Sequence, residues 1–307
     1  MKALIIGSNG FLAEKLKKKL ENENIEFFGF TSSKKKLSKD ILINDINNSE
    51  LIEKEMLRVN PDYLFFLSGK SATENEKESK LINFSYFKNV VEILIKNKKS
   101  NINIVVVGSS AEYGIVKEDE LPIIEKLKGS PISKYGINKL KQTRYSLKVK
   151  DNFKNLVIVR PFNILGYRAP KSLPLGKYFF ELEQLYCKGS NKKVDITGLN
   201  FFRDYIDVDD CAQLIWKLAN CNEAHGQIIN LCTGNMHNLQ ELIIETAIKF
   251  KLQDQIIVRN NSNLSNMKFH RGSPEKLFKI VGDYALKPID HSLDEIYHSI
   301  RNGKKRN

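Results

Sequence analysis

Short apolar runs alternate with longer stretches of helical period through the first half of the chain. The runs at 1–6, 25–31, 41–43, 62–67, 102–108 and 156–160 carry few polar residues, as strands buried on both faces must. Between them, residues 11–20, 49–59, 77–96 and 134–148 place their apolar residues on one helical face. Strand alternating with helix predicts a doubly wound, Rossmann-type α/β fold, a parallel sheet covered by helices on both sides. Ligands of such sheets bind outside the carboxyl ends of the strands, so the loops after each strand are where chemistry is expected.

Beyond Pro161 the alternation loosens. Helices are expected at 177–187, 208–218, 239–249 and 293–300, with strands at 193–197 and 228–231. This pattern divides the chain into a dinucleotide-binding domain, 1–162, and a smaller C-terminal α/β substrate lobe, 163–307. Residues 202–234 are expected to return to the core.

The first run ends in Gly7-Ser8-Asn9-Gly10-Phe11-Leu12-Ala13, and a helix follows at once. The spacing is G-x-x-G-x-x-A. Glycines permit a tight turn and let a pyrophosphate approach N–H groups at the helix start, where the dipole favours anions. A site for NAD would normally place an acid at the end of the second strand. Here that end reads Thr31-Ser32-Ser33-Lys34, hydroxyls and a cation suited to a 2′-phosphate. The expected cofactor is therefore NADP or NADPH. Asp45-Ile46 is placed to cap the adenine, the alternative for Asp45 being a turn cap. Leu67, Ser68 and Gly69 after the fourth strand, and Pro161 after the sixth, complete the expected cofactor contacts.

Three Tyr-x-x-x-Lys pairs occur: Tyr113/Lys117, Tyr135/Lys139 and Tyr167/Lys171. On a helix this spacing puts phenol and ammonium on one face. An ammonium there lowers the phenol from about 10 toward neutrality and makes it a general acid or base. Gly114 follows Tyr113 and Pro170 follows Tyr167 closely, whereas Tyr135 opens a long amphipathic segment announced by Ser130-Pro131. Only Tyr135/Lys139 fits a helix.

Around that pair the chain resembles the extended short-chain dehydrogenase/reductase family, nucleotide-sugar branch. The resemblance runs nearly end to end, through the glycine loop, Asn83, Ser109-Ser110-Ala111-Glu112-Tyr113-Gly114, Tyr135/Lys139, Arg160-Pro161-Phe162-Asn163, Arg203-Asp204-Tyr205-Ile206-Asp207 and Asn230-Leu231-Cys232-Thr233-Gly234. It implies Tyr135 as acid/base, Lys139 on the nicotinamide ribose and Ser109 on the sugar oxygen. It also implies Asn163 near the sugar phosphates and Arg203 near the nucleotide diphosphate. The other reading of Arg203 and Asp204 is a structural ion pair. Ser71, Ser110, Ala111 and Glu112 are expected to face the sugar.

Family dehydratases carry a Glu that removes the C5 proton, and counting back from Gly114 puts Ala111 at that position. Glu112 comes one residue later and, in an extended segment, points to the opposite side. The Ser-Ser-x-Glu-Tyr-Gly form looks like the 4-keto-6-deoxyhexose reductases, GDP-linked ones among them. That implies NADPH-dependent reduction of a C4 ketone on a nucleotide-diphosphate sugar destined for surface polysaccharide. A 4-epimerase is the alternative, with a 4,6-dehydratase or a non-catalytic NADP sensor behind it. One departure stands out: related reductases carry Arg-Pro-x-Asp where this chain has Asn263-Leu264-Ser265-Asn266. Arg271 or Arg259 is the candidate substitute, the alternative being that the sugar nucleotide sits differently.

A formal charge of +13 invites a nucleic-acid reading. The basic residues are scattered in short clusters such as Lys17-Lys18-Lys19, which suits solvated faces and polyanionic small substrates better. No apolar run approaches the roughly 20 residues that span a bilayer, and the opening Met1–Gly7 segment is too short for a signal peptide. The four cysteines lack metal or redox spacing. The expectation is a cytoplasmic enzyme without a metal, binding neither nucleic acid nor membrane, and a homodimer through helices near 77–96 and 134–148.

Overall fold

The computed structural model describes residues 1–32, 39–71, 73, 75–259 and 268–304. Ser33, Lys34 and 263–266 lie outside the described residues. The first half runs β1 (Lys2–Ile6), α1 (Phe11–Asn22), β2 (Glu26–Thr31), β3 (Asp40–Leu42), α2 (Ser49–Val59), β4 (Tyr63–Phe66), α3 (Glu76–Lys80), α4 (Tyr86–Lys96), β5 (Asn103–Val107), α5 (Lys134–Val149) and β6 (Asn155–Pro161). Then follow β7 (Asn163–Leu165), α6 (Pro174–Lys188), β8 (Val194–Asp195), β9 (Phe202–Asp207), α7 (Val208–Ala219), β10 (Ile228–Leu231), β11 (Met236–Asn238), α8 (Leu239–Lys249), β12 (Ile256–Ile257), β13 (Phe269–His270), α9 (Glu275–Val281) and α10 (Ile289–Lys304).

Seven parallel strands form the main sheet in the order β10-β6-β5-β4-β1-β2-β3. The expected Rossmann-type fold is the fold observed. Alternate residues of each strand supply opposite cores. Ala3 and Ile5 face a cluster with α1 and α7, while Leu4 and Ile6 face one with α2 and α4. Strand order reverses between β1 and β4, so the loops after these strands open the crevice where ligands of such sheets bind.

Two features differ from the pattern reading. The expected helix at 77–96 is broken by a π turn at Leu81–Ser85, which turns Asn83 inward to pair with both backbone groups of Lys70. The second difference is a set of short strands in the C-terminal half that periodicity did not announce. β9 pairs with β11, β13 and β7, and it sits beneath the third hydrophobic cluster, built on α6, α8 and α10. Strands of two or three residues, or charged ones like β9 with Arg203 and Asp204, carry no apolar alternation to read. β10 joins the main sheet beside β6.

Candidate active site

The glycine loop folds as a tight turn from β1 into α1. Gly7 adopts φ +86°, and a Cβ there would meet the backbone nitrogen of Ser68 at 2.8 Å, so only glycine fits. Gly7 and Ser8 both donate to the Phe30 carbonyl, at 3.1 and 3.2 Å. Gly10 caps α1 without any side-chain hydrogen bond, which leaves the first N–H groups of a 12-residue helix to an incoming anion. Asn9 and Gly10 are exposed, whereas the side chains of Phe11 and Leu12 are committed to the core. What those two residues offer a phosphate is backbone.

Ser8 was not among the expected site residues. It is buried, its hydroxyl hydrogen-bonds the Asp40 carboxylate, and Lys17 reaches the same carboxylate at 3.2 Å. The trio ties the glycine loop, α1 and β3 together. Thr31 is 6% exposed, so its side chain is not at the cleft surface, and Ser32 is exposed. Asp45 takes the turn-cap role, accepting from Asn47 N at 2.9 Å, and Ile46 packs against the core. Leu67 and Ser68 are half-buried at the crevice, with Gly69 and Ser71 exposed beyond them.

Tyr135 lies in the first turn of α5, which Ser133 caps by accepting from Gly136 N at 3.0 Å. A Cβ on Gly136 would stand 2.5 Å from the Ala111 carbonyl. Glycine therefore lets α5 close onto the turn after β5 and sets the Tyr135 phenol near enough to Ser109 for the serine to act on its proton affinity. Lys139 is 1% exposed, its ammonium 6.0 Å from the Tyr135 ring centre. Burial pushes the phenol up to about 12; the Ser109 contact opposes this and the Glu112 charge adds to it. The expected depression of Tyr135 by Lys139 is not found. Burial dominates, and it also lowers Lys139 to about 8 against the pull of Glu112.

The other two Tyr-Lys pairs are apart from this centre. Tyr113 is buried and donates to Asn230 Oδ1 at 2.7 Å. Tyr167 sits under Arg168.

Glu112, expected to face the sugar, requires correction. Its side chain is fully buried, it accepts from Ser109 N at 2.9 Å, and it pairs with Arg160 at 2.7 Å. No part of it reaches the cleft. Ser110 is buried and Ala111 partly exposed.

On the lobe side, Asn163 donates to the Asp204 carbonyl at 2.9 Å, and Pro161 is buried at the end of β6. The ion-pair alternative for Arg203 and Asp204 fails, because neighbours on a strand face opposite ways. Arg203 donates to the carbonyls of Phe202 and Lys268 and lies over Phe201. Asp204 accepts from Thr233 N, Thr233 Oγ1 and Gly234 N at 2.8–2.9 Å and from Gly272 N at 3.3 Å. Arg271 keeps a buried Nε without a partner among the described residues. Arg259 donates its backbone N–H to Thr197.

His270, also not anticipated, is 5% exposed, packs tilted against Phe162 with ring centres 5.0 Å apart, and is held down to about 4 by burial and then by the Arg203 charge. Its folded value lies below the ordinary 6.5, so the stability it lends is complete above about 6.5 and lost as pH falls toward 4. Asp204, pushed by burial up to about 6 from 3.8, has the opposite sign. Its contribution is complete below 3.8 and lost as pH rises through 6. The two offset one another over nearly the same range. His270→Asn should therefore gain on the wild type as pH falls, by up to about 3 kcal/mol, read as the Tm difference between pH 7 and pH 4.5. A difference independent of pH would overturn this assignment.

Comparison with known proteins finds relatives over most of the chain. A profile described as the NAD dependent epimerase/dehydratase family matches residues 3–232. The chain is 24% identical to a GDP-6-deoxy-D-talose 4-dehydrogenase of Aggregatibacter actinomycetemcomitans, over 97% of each protein. It is 27% identical to an ADP-L-glycero-D-manno-heptose-6-epimerase of Brachyspira hyodysenteriae, over 78% of each. Among solved structures, RMD of Pseudomonas aeruginosa complexed with NADPH superposes with a TM-score of 0.84 at 20% identity, covering 98% of both chains. UDP-glucose 4-epimerase of Thermotoga maritima with UDP-glucose does so with 0.83 at 17%, covering 99% of both.

Proposed function

Because the chain belongs to the NAD-dependent epimerase/dehydratase family, whose relatives act on nucleotide sugars, we propose that it reduces the C4 ketone of a nucleotide-linked 4-keto-6-deoxy sugar with NADPH. One observation carries the choice. Ala111 stands where a dehydratase needs its Glu, and the neighbouring Glu112 is locked onto Arg160 inside the protein. The segment beside Tyr135 thus offers no carboxylate for removing a carbon-bound proton. What remains is a hydroxyl pair and an ammonium, which suits addition to a carbonyl.

The uncapped start of α1 and the crevice beside Gly7 fit a dinucleotide pyrophosphate. In this reading Asn9, Gly10, Phe11 and Leu12 hold it chiefly through backbone, and Leu67, Ser68, Gly69 and Pro161 border the nicotinamide. Ser32, at a strand end without an acid, favours the 2′-phosphate form. A bound nicotinamide would supply the hydride. Tyr135, with a phenol near 12, stays protonated at neutral pH and delivers its proton to the nascent alkoxide. Ser109 donates to the same oxygen, and donors so placed contribute several kcal/mol to a transition state. Ser71, Ser110, Ala111, Asn163, Arg203 and Arg271 face the sugar nucleotide.

The second reading is a 4-epimerase, which needs the same three groups and finds support in the epimerases among the similar proteins. Incubation with GDP-, dTDP- and UDP-linked 4-keto-6-deoxy sugars, following nicotinamide absorbance, separates them. NADPH should be consumed faster than NADH. Interconversion of a 4-hydroxy sugar pair with no net consumption would overturn the reductase. The homodimer belongs to this reading too: Ile132 and Ile137, 67% and 40% exposed beside Tyr135, leave apolar surface for a second copy. Among the described residues no helix is long and apolar enough to cross a membrane.

A further inference from the structure

The ammonium of Lys139 has three protons, and each is engaged inside the protein. The acceptors are the Val107 carbonyl at 2.8 Å, the Ser68 carbonyl at 3.1 Å and Gln142 Oε1 at 3.1 Å. The first two are main-chain groups at the ends of β5 and just beyond β4, fixed by the sheet. Gln142 is different. It lies one turn further along α5, is fully buried, and its Nε2 has no partner among the described residues. The neighbouring Thr143 hydroxyl is likewise buried and unpartnered. A buried polar atom without a partner is uncommon in a folded protein and works against its stability.

We propose that Gln142 is a positioning residue for Lys139, holding its third proton in the cofactor-free protein and yielding it to the ribose hydroxyls of the cofactor on binding. The inference rests on the reading of Lys139 as the ribose-binding lysine. Gln142 is the one side chain among the three acceptors and hence the one able to swing aside. The approach lies over Gly69, which is exposed and so close that a Cβ would stand 3.1 Å from Lys139 Nζ. A neutral partner also matters electrostatically. The charged or titratable groups facing Lys139 are Glu112, from the turn after β5, and Tyr135, on its own helix. Asn83, from the π turn, and Gln142 are uncharged. With one carboxylate near it, the ammonium stays close to 8. A second carboxylate in direct contact would fix it as a permanent cation bound to its neighbour.

Gln142→Leu removes the acceptor and Gln142→Glu charges it. Full-length wild type and both variants would be titrated with NADPH and, in parallel, NADH, by nicotinamide fluorescence from pH 6 to 10. Wild-type affinity should fall as pH rises through about 8. In Gln142→Leu the midpoint should drop by about one pH unit, and in Gln142→Glu it should rise by about one to three. If the leucine variant does not fold, the near-isosteric glutamate variant carries the test. Binding intact in every variant, with midpoints unchanged, overturns the inference alone. Failure of the wild type to bind either nucleotide overturns the cofactor reading beneath it and this inference with it.

Discussion

Tyr135→Phe is expected to lower turnover by about 10²- to 10⁴-fold, the usual contribution of a positioned general acid, while NADPH binds as before. The substitution removes one oxygen. The ring stays packed in the first turn of α5, its face still 6.0 Å from the Lys139 ammonium. Lys139 keeps its contacts with Ser68, Val107 and Gln142, none of which involve the phenol. The loss therefore falls on the proton and not on the cofactor. Stability should change by no more than about 1 kcal/mol, the usual net worth of a single hydroxyl hydrogen bond. Turnover is measured with whichever sugar nucleotide the wild type consumes, and NADPH binding by nicotinamide fluorescence. A variant that keeps a tenth of wild-type turnover would remove Tyr135 from the role of acid. The pH dependence gives a second check. With the phenol near 12, reduction should show no loss between pH 6 and 9 attributable to Tyr135. Any decline near 8 belongs to Lys139, whose burial brings it there.

The main sheet was legible because a strand buried on both faces has to be apolar throughout, and 2–6 or 63–66 admit no other reading. Choosing Tyr135 among three Tyr-Lys pairs was also legible, since a helix start is written locally in Ser133 and the residues after it. Partners far apart in the chain were not. Ser8 finds Asp40 across 32 residues, and Glu112 finds Arg160 across 48. Counting residues placed Glu112 on the side opposite Ala111 on the premise of an extended segment, while the resemblance put it among the residues facing the sugar. It does point away, but from a single 3₁₀ turn capped by Ser109. Arg160 on β6 is what draws it inward. Lys139 shows the same limit: spacing puts it beside Tyr135, yet only the fold reveals that desolvation outweighs that proximity.

The Glu112–Arg160 pair sets the second large effect. Both side chains are essentially inaccessible, 0% and 3% exposed. Burial works against the charge on Arg160, yet Glu112 and Tyr113 outweigh it and the guanidinium ends above its usual value. Glu112→Gln leaves that cation buried and poorly answered, which typically costs about 3–5 kcal/mol. At about 1.6 °C per kcal/mol for a chain of this size, Tm should drop by about 5–8 °C. Turnover should fall as well, because Glu112 Oε1 accepts from Ser109 N at 2.9 Å and so fixes the serine against Tyr135. The double variant Glu112→Met with Arg160→Met separates the two consequences. Replacing both charges with apolar groups of similar size restores much of the stability, but it returns no acceptor to Ser109. Tm should recover in the double variant while turnover stays low. Recovery of both together would mean that the pair serves only to hold the fold, and that Ser109 needs no anchor from Glu112.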